Sequence, residues 1–458
     1  MIDYNGKRNI FSKPQKRDNP VRIFIGLLVI LGLLFINRGF KSGSLNSPFD
    51  PTPTPTRTFN SYAQEGETHF AAGNLDKAIE AYQNAVRIDP NNPELAAELV
   101  RIMVYSSTQK ATDADKRARL EEAIQTANDA LKLNPENSSL HAVLAFALDW
   151  YATPALAGDQ WQSQLNAAEQ EAVTALQFDS TNTLALAFYA EILVDQQKWS
   201  QADQYISQAM QKAGNLMDVY RVNGYVQESL SNYNDAITNY QKASAIYPNL
   251  NFLYISMGAN YRQLANMALP GSVQQKTYFN QALDEFVIAV NINEQQGVQD
   301  PIPLISIANT YVQMGEFFSA ARNMLKAVEY APSNPTVYGQ LGIVYYKARN
   351  YEGSILPLKC AIRGCTAAES CEVRNQGSPC DTATLPDIPI AGQPLSQSTV
   401  PYYFTYGSVL AGLHQPSNGY CEEAMTIFNE ISQGFSEDTT IMSIVNEGES
   451  ICKYYGYN

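Results

Sequence analysis

The stretch Gly73-Asn74-Leu75-Asp76-Lys77-Ala78-Ile79-Glu80-Ala81-Tyr82-Gln83-Asn84-Ala85-Val86-Arg87-Ile88-Asp89-Pro90 decides the fold. Its Gly-Asn pair is a turn signal, and Ala78, Tyr82 and Ala85 recur at helical steps. Asp89-Pro90 then stops the helix, because proline lacks the amide hydrogen needed to continue it. The Ala78, Ala85, Pro90 spacing returns as Ala123, Ala130, Pro135, as Ala236, Ala243, Pro248, and as Ala320, Ala327, Pro332. This is an internal repeat. One helical hairpin of this size cannot bury its apolar face alone, so the units must stack.

Before this stretch, Tyr62, Gly66 and Phe70 mark the apolar face of a first helix. The alanine opening each second helix recurs at Ala123, Ala168, Ala202, Ala236, Ala282 and Ala320, and Ser354 takes its place in the next unit. Small residues there let two helix backbones approach, and a tyrosine fills the space beside them. Three units carry extra residues, around 106–116, 153–161 and 268–275, each between the two helices of its own unit. Insertions at equivalent points line one edge of a solenoid; longer helices are the plainer alternative.

These units resemble the tetratricopeptide repeat, a helix-turn-helix of 34 residues. The unit from Met217 carries the pattern as Tyr220, Gly224, Ala236, Tyr240, Ala243 and Pro248. The unit from Pro301 has Ile307, Ala308, Tyr311, Gly315, Ala320, Met324, Ala327 and Pro332, and the one from Pro335 has Tyr338, Leu341, Gly342 and Tyr345. The resemblance covers most of 59–362. It implies an all-α, right-handed α-solenoid of about eight to nine hairpins, a binding architecture that says little about activity. It also implies a concave face lined by first-helix residues, here Arg221, Tyr225 and Glu228, then Arg262 and Gln263, Asn309 and Gln313, and Tyr346 and Lys347. Aromatic faces, amides and cations in one row suit an extended peptide or a carboxylate-bearing segment. The Lys/Asn arrangement by which some relatives clamp a C-terminal carboxylate is not reproduced, and an ordinary polar groove is the alternative.

The N-terminus places Lys7, Arg8, Lys13, Lys16, Arg17 and Arg22 before an uncharged run from Ile23 to Ile36, followed by Arg38 and Lys41. It reads as an export signal, either a retained anchor over 21–40 or a cleaved signal peptide; no strong A-x-A site is present. The basic excess before the run puts the C-terminal part outside the cytoplasm. The organisation expected is a basic cytoplasmic tail (1–20), a transmembrane anchor (21–40), a Pro/Thr-rich linker (41–58), the repeat array (59–362), a cysteine-rich irregular segment (363–400), and a degenerate repeat with a capping helix (401–458). Proline at every second position from Pro51 to Pro55 makes the linker an extended stalk.

Six cysteines, Cys360, Cys365, Cys371, Cys380, Cys421 and Cys452, sit in the last quarter. An even number fits an oxidising compartment, and their pairing is open among fifteen connectivities. No Cys-x-x-Cys pair exists, so no metal site is expected. The chain carries a net charge of -14, and the first 41 residues hold eight basic and two acidic side chains, leaving the rest at -20. Such a body repels phosphate backbones, which excludes nucleic acid as a main partner. No GxSxG, P-loop or HExxH motif occurs, and His69, His141 and His414 are too scattered to form a set. The expectation is a non-enzymatic, cofactor-free, membrane-anchored scaffold for a protein or peptide partner. An assembly factor for an envelope polymer or polysaccharide is the alternative.

Overall fold

The computed structural model describes residues 19–41, 57–212, 214–376, 380 and 388–457. The chain forms two compact units, Met1–Arg57 and Thr58–Asn458. The first contains one described helix, Pro20–Lys41, whose apolar side chains are exposed all round. Its 22 residues give about 33 Å at 1.5 Å per residue, enough for a ~30 Å hydrocarbon core. By length and composition it suits a membrane span or a signal sequence alike. The expected basic tail and most of the Pro/Thr stalk lie outside the described residues.

The second unit is built, among the described residues, from nine helical hairpins and a closing helix. In order, the hairpins pair Phe59–Ala71 with Leu75–Ile88, Pro93–Ser106 with Asp113–Leu133, and Ser138–Tyr151 with Trp161–Phe178. Thr183–Asp195 then pairs with Trp199–Met210, Met217–Ser229 with Tyr233–Ile246, and Asn251–Met267 with Val273–Gln296. Ile302–Met314 with Phe317–Tyr330, Pro335–Lys347 with Tyr351–Ile362, and Val400–Gly412 with Tyr420–Phe435 complete the set, and Thr439–Tyr454 closes it. The repeated asparagines start the helices. Asn92, Asn137, Asn182 and Asn334 each accept a backbone N–H of the first turn, a cap worth about 1 kcal/mol.

The glycine of the first helix and the aromatic residue of the second are one packing device. A Cβ on Gly66, Gly224, Gly258 or Gly407 would collide with the ring of Tyr82, Tyr240, Phe286 or Phe428 respectively. The three insertions take different forms. The first adds a 3-10 turn, Ser107–Gln109, before a second helix of 21 residues, and the second adds a short helix, Pro154–Ala157. The third mostly lengthens both helices of the sixth hairpin, to 17 and 24 residues.

The segment expected to be irregular contains a helix, Ala367–Arg374, started by a capping box in which Thr366 and Glu369 satisfy each other's backbone amides. The Thr-x-x-Glu signature was present in the sequence. Lys359 holds the same Glu369 at 2.6 Å, tying this helix to the eighth hairpin. The cysteines pair as Cys360–Cys365, Cys371–Cys380 and Cys421–Cys452. The last of these staples the ninth hairpin to the closing helix, where Ile441, Val445, Gly448 and Cys452 are buried.

Candidate interaction surfaces

First helices line the inner side of such an array, and in hairpins two to four they are buried nearly all round. Pro93–Ser106 buries eleven of its 14 residues, Ser138–Tyr151 nine of 14, and Thr183–Asp195 ten of 13. A one-sided helix would bury about half. The cause is in the sequences SSLHAVLAFALDWY and TLALAFYAEILVD, which are apolar on every face. Stacked Phe146 and Phe188, with centroids 4.2 Å apart, fill what would otherwise be a groove.

Set into this apolar interior is a charged network. Arg221 donates to both oxygens of Glu191 at 2.7 and 2.6 Å, and through Nε to the Tyr105 hydroxyl at 3.0 Å. Trp150 Nε1 donates to the same Glu191 at 3.0 Å. Arg101 donates to Asp218 at 3.1 Å and to Glu98 at 2.6 Å, and Tyr105 donates its hydroxyl proton to Asp218. The Arg221 and Glu191 side chains are 7% and 5% exposed, so each charge relies on its partner rather than on water. Arg221 also lies 5.3 to 5.6 Å from the ring centroids of Phe146, Tyr105 and Trp150.

Beside this network sit two carboxyls. Asp149 is 3% exposed and receives no N–H or O–H donor on either oxygen among the described residues. Burial, with Asp195 and Glu191 nearby, raises its pKa well above the ordinary carboxylate range. Asp195, exposed at the rim of this interior, is pushed up to about 6 by desolvation from the packed groups behind it, although the Tyr225 hydroxyl donates to it at 2.5 Å. Desolvation thus favours the protonated form at both carboxyls.

The interior is sealed where the first hairpin meets the end of the fifth and the last turn of the sixth. Tyr247 donates to Glu67 at 2.7 Å, Asn249 to the Ala71 carbonyl at 3.0 Å, and Gln296 to the Ala72 carbonyl at 3.3 Å. Gly73, at φ 77°, makes this approach possible: any side chain there would meet the Asn249 carbonyl and the Gln296 amide.

From the seventh hairpin onward the inner side is open. Ile302–Met314 buries Pro303, Leu304, Ile307, Ala308 and Thr310, and leaves Asn309 and Gln313 exposed. Pro335–Lys347 likewise leaves Tyr346 and Lys347 exposed. Tyr346 also lines a cavity of about 270 Å³ with Phe404, Thr405 and Ser408 of the ninth hairpin and Ile444, Glu447 and Ile451 of the closing helix.

The nine residues placed on the concave face by resemblance are therefore divided. Arg221 is buried in the charged network and Tyr225 is half-buried beside it. Glu228 accepts from Asn260 at 2.8 Å and Tyr240 at 3.2 Å. Arg262 donates to the Ser306 carbonyl at 3.4 Å, stacks 5.7 Å from the Phe286 centroid, and has its pKa lowered by burial. These four serve packing; Gln263, Asn309, Gln313, Tyr346 and Lys347 face solvent. Sequence reasoning missed Arg101, Asp149, Glu191, Asp195 and Asp218. The available signal was a single charge inside each apolar run, such as Glu191 in LALAFYAEILV.

A family model described as "TPR repeat" matches residues 66–99. Among solved structures, the human IFIT1 dimer with PPP-AAAA aligns with a TM-score of 0.52 at 12% identity, covering 87% of this chain and 83% of that one. The array has the tetratricopeptide fold. A monomeric IFIT1 mutant with Gppp-AAAA gives a TM-score of 0.51 at 12% identity, with 86% of this chain and 80% of that one covered. A tetratricopeptide repeat protein from Parabacteroides merdae aligns at 14% identity over 62% of this chain and 98% of its own, with a TM-score of 0.36. No curated protein matches the sequence.

Proposed function

We propose that this chain is a membrane-anchored scaffold whose tetratricopeptide array lies outside the cytoplasm and binds a protein or peptide on its open inner side. The observation that carries this reading is the change from a filled interior to an open face, which leaves Asn309, Gln313, Tyr346 and Lys347 exposed beside the Tyr346 cavity. Amides, a tyrosine and a lysine on one helical face can hold peptide carbonyls and stack on a side chain. The apolar helix Pro20–Lys41, the basic excess before it, and three disulfides support the anchor and its orientation.

The IFIT1 structures contain PPP-AAAA and Gppp-AAAA. In this chain the buried cations Arg101 and Arg221 are already paired with Asp218, Glu98 and Glu191, and the Asp149–Asp195 pair adds no positive charge. A phosphate chain would meet neutralised arginines in an acidic body, which favours a protein partner. The reading is of a scaffold rather than an enzyme, and it requires no cofactor.

A photocrosslinker at Gln313, compared in native membranes with one at exposed Glu329 on the outer helix, tests this. The expected result is one defined protein joined from position 313 and not from 329, with the adduct lost in Tyr346→Ala/Lys347→Glu. Equal labelling from both positions, or none from 313, would overturn it.

A further inference from the structure

The sixth hairpin stands out chemically in an acidic chain. Between Asp235 and Asp284 lie 48 residues without an aspartate or glutamate, where 45 acids spread over 458 residues would put four or five. The same stretch holds Lys242, Arg262 and Lys276. At its centre the two long helices meet in the turn Met267-Ala268-Leu269-Pro270-Gly271-Ser272-Val273. Met267, Leu269 and Val273 are 71%, 80% and 85% exposed there. A Cβ on Gly271 would touch nothing, so the turn projects into open space. Stacked repeats set their within-hairpin turns along one edge, and the corresponding turn of the seventh hairpin carries Phe318, 89% exposed. The charges near this tip are Lys276 on its own helix, Asp235 and Glu316 beside the turns of the two adjacent hairpins, and Asp284 and Glu285 two turns further down the long helix.

We infer that this turn is a bilayer-inserting tip, by which the array rests on the surface of the membrane that its N-terminal helix enters. The inference rests on the membrane-anchor reading. A convex point of three aliphatic side chains fits a soft apolar medium, which closes around any shape, better than it fits a rigid protein pocket. The acid-free stretch on both sides of the tip lowers the repulsion that the rest of this body would feel from anionic headgroups, and Lys276 adds attraction. Pro270 and Gly271 hold the turn without a side chain that would need hydrogen bonds inside the headgroup layer.

The six native cysteines are paired, so an introduced thiol can be labelled alone. Leu269→Cys and, on the opposite turn edge, Glu136→Cys would each carry a polarity-sensitive fluorophore in the full chain, reconstituted into mixed phosphatidylcholine and phosphatidylglycerol vesicles. Quenching by nitroxide-bearing lipid at 269 and not at 136 is expected. In the separately compact fragment 58–458, Leu269→Asp/Val273→Asp is expected to weaken vesicle partitioning by about tenfold or more. No lipid quenching at 269 in a chain that resists alkaline extraction overturns the tip, and so does equal quenching at both sites. Protection of 269 that tracks protein density rather than lipid means that copies dock on each other, and also overturns it. A chain released by alkaline washing defeats the anchor reading instead, and the fragment arm then decides the tip separately.

Discussion

Arg221→Met removes the centre of the buried charged network while keeping much of the side chain's apolar stem. The substitution deletes two hydrogen bonds to Glu191 and one to Tyr105, and leaves Glu191, 5% exposed, with only the Trp150 donor. Breaking a buried pair from one side costs about 3–5 kcal/mol, because the remaining charge stays desolvated. Repeat arrays open locally rather than all at once, so native-state hydrogen exchange on residues 58–458 is the suitable assay. At about 1.4 kcal/mol per decade, protection in the inner helices of hairpins two to five should fall by roughly two to three and a half decades. Arg221→Met/Glu191→Leu should recover most of that loss, since a well-packed apolar replacement of both partners is close to neutral. A single variant that loses less than about 1 kcal/mol, or a double variant whose loss is the sum of the singles, would refute the claim that this pair holds the interior together.

Buried acids set the pH response. Asp149 and Glu228 are raised by burial, and Asp195 and Asp300 are each pushed up to about 6, so the folded chain binds more protons than the unfolded one from the ordinary carboxylate range upward. Their contribution is fully present below about pH 4 and is lost as pH rises through 6 and beyond. The melting temperature of 58–458 should therefore be higher at pH 5.5 than at pH 8, and a flat or opposite profile would contradict the desolvation of Asp149 and Asp300. Gly258→Ala drives a Cβ into the Phe286 ring and should cost about 1–3 kcal/mol by denaturant unfolding, partly restored by Phe286→Leu. Cys421→Ser/Cys452→Ser opens a link with a sequence separation of 31, worth about 3.7 kcal/mol in chain entropy. Exchange protection should fall in the ninth hairpin and closing helix and stay unchanged in hairpins one to five.

The fold was legible because the residues that specify it repeat. Ala78, Ala123, Ala168, Ala202, Ala236, Ala282 and Ala320 are all buried, and most of the glycine and aromatic partners that fill the gap between helices could be aligned by eye. The closing helix was readable for the same reason, since an array with an uncovered apolar end would be insoluble. The helix Ala367–Arg374 was not. Its eight residues carry little periodicity, and its position depends on Lys359, the nearby disulfides and the Cys365–Ile390 bridge. Those partners become neighbours only after the array is built.

The candidate site was legible in composition but not in exposure. Mapping first-helix positions onto a concave face treats every repeat as equally curved, whereas curvature depends on how closely inner helices can pack. Hairpins two to four carry alanines at Ala96, Ala97, Ala142, Ala145, Ala147, Ala185, Ala187 and Ala190, all buried, so their inner helices approach until no groove remains. Ile302–Met314 and Pro335–Lys347 instead leave Asn309, Gln313, Tyr346 and Lys347 exposed. At the matching register the closed hairpins carry Arg101 and Glu191, whose charges are paired across the interior with Asp218 and Arg221, and a polar face can be sealed only when its donors and acceptors find such partners. This gives a rule that can be tested within the chain. Replacing Asn309 and Gln313 with alanine should extend the closed interior by one hairpin and abolish labelling from a photocrosslinker moved to position 347, whereas an unchanged adduct would mean that inner-face polarity does not set where the array opens.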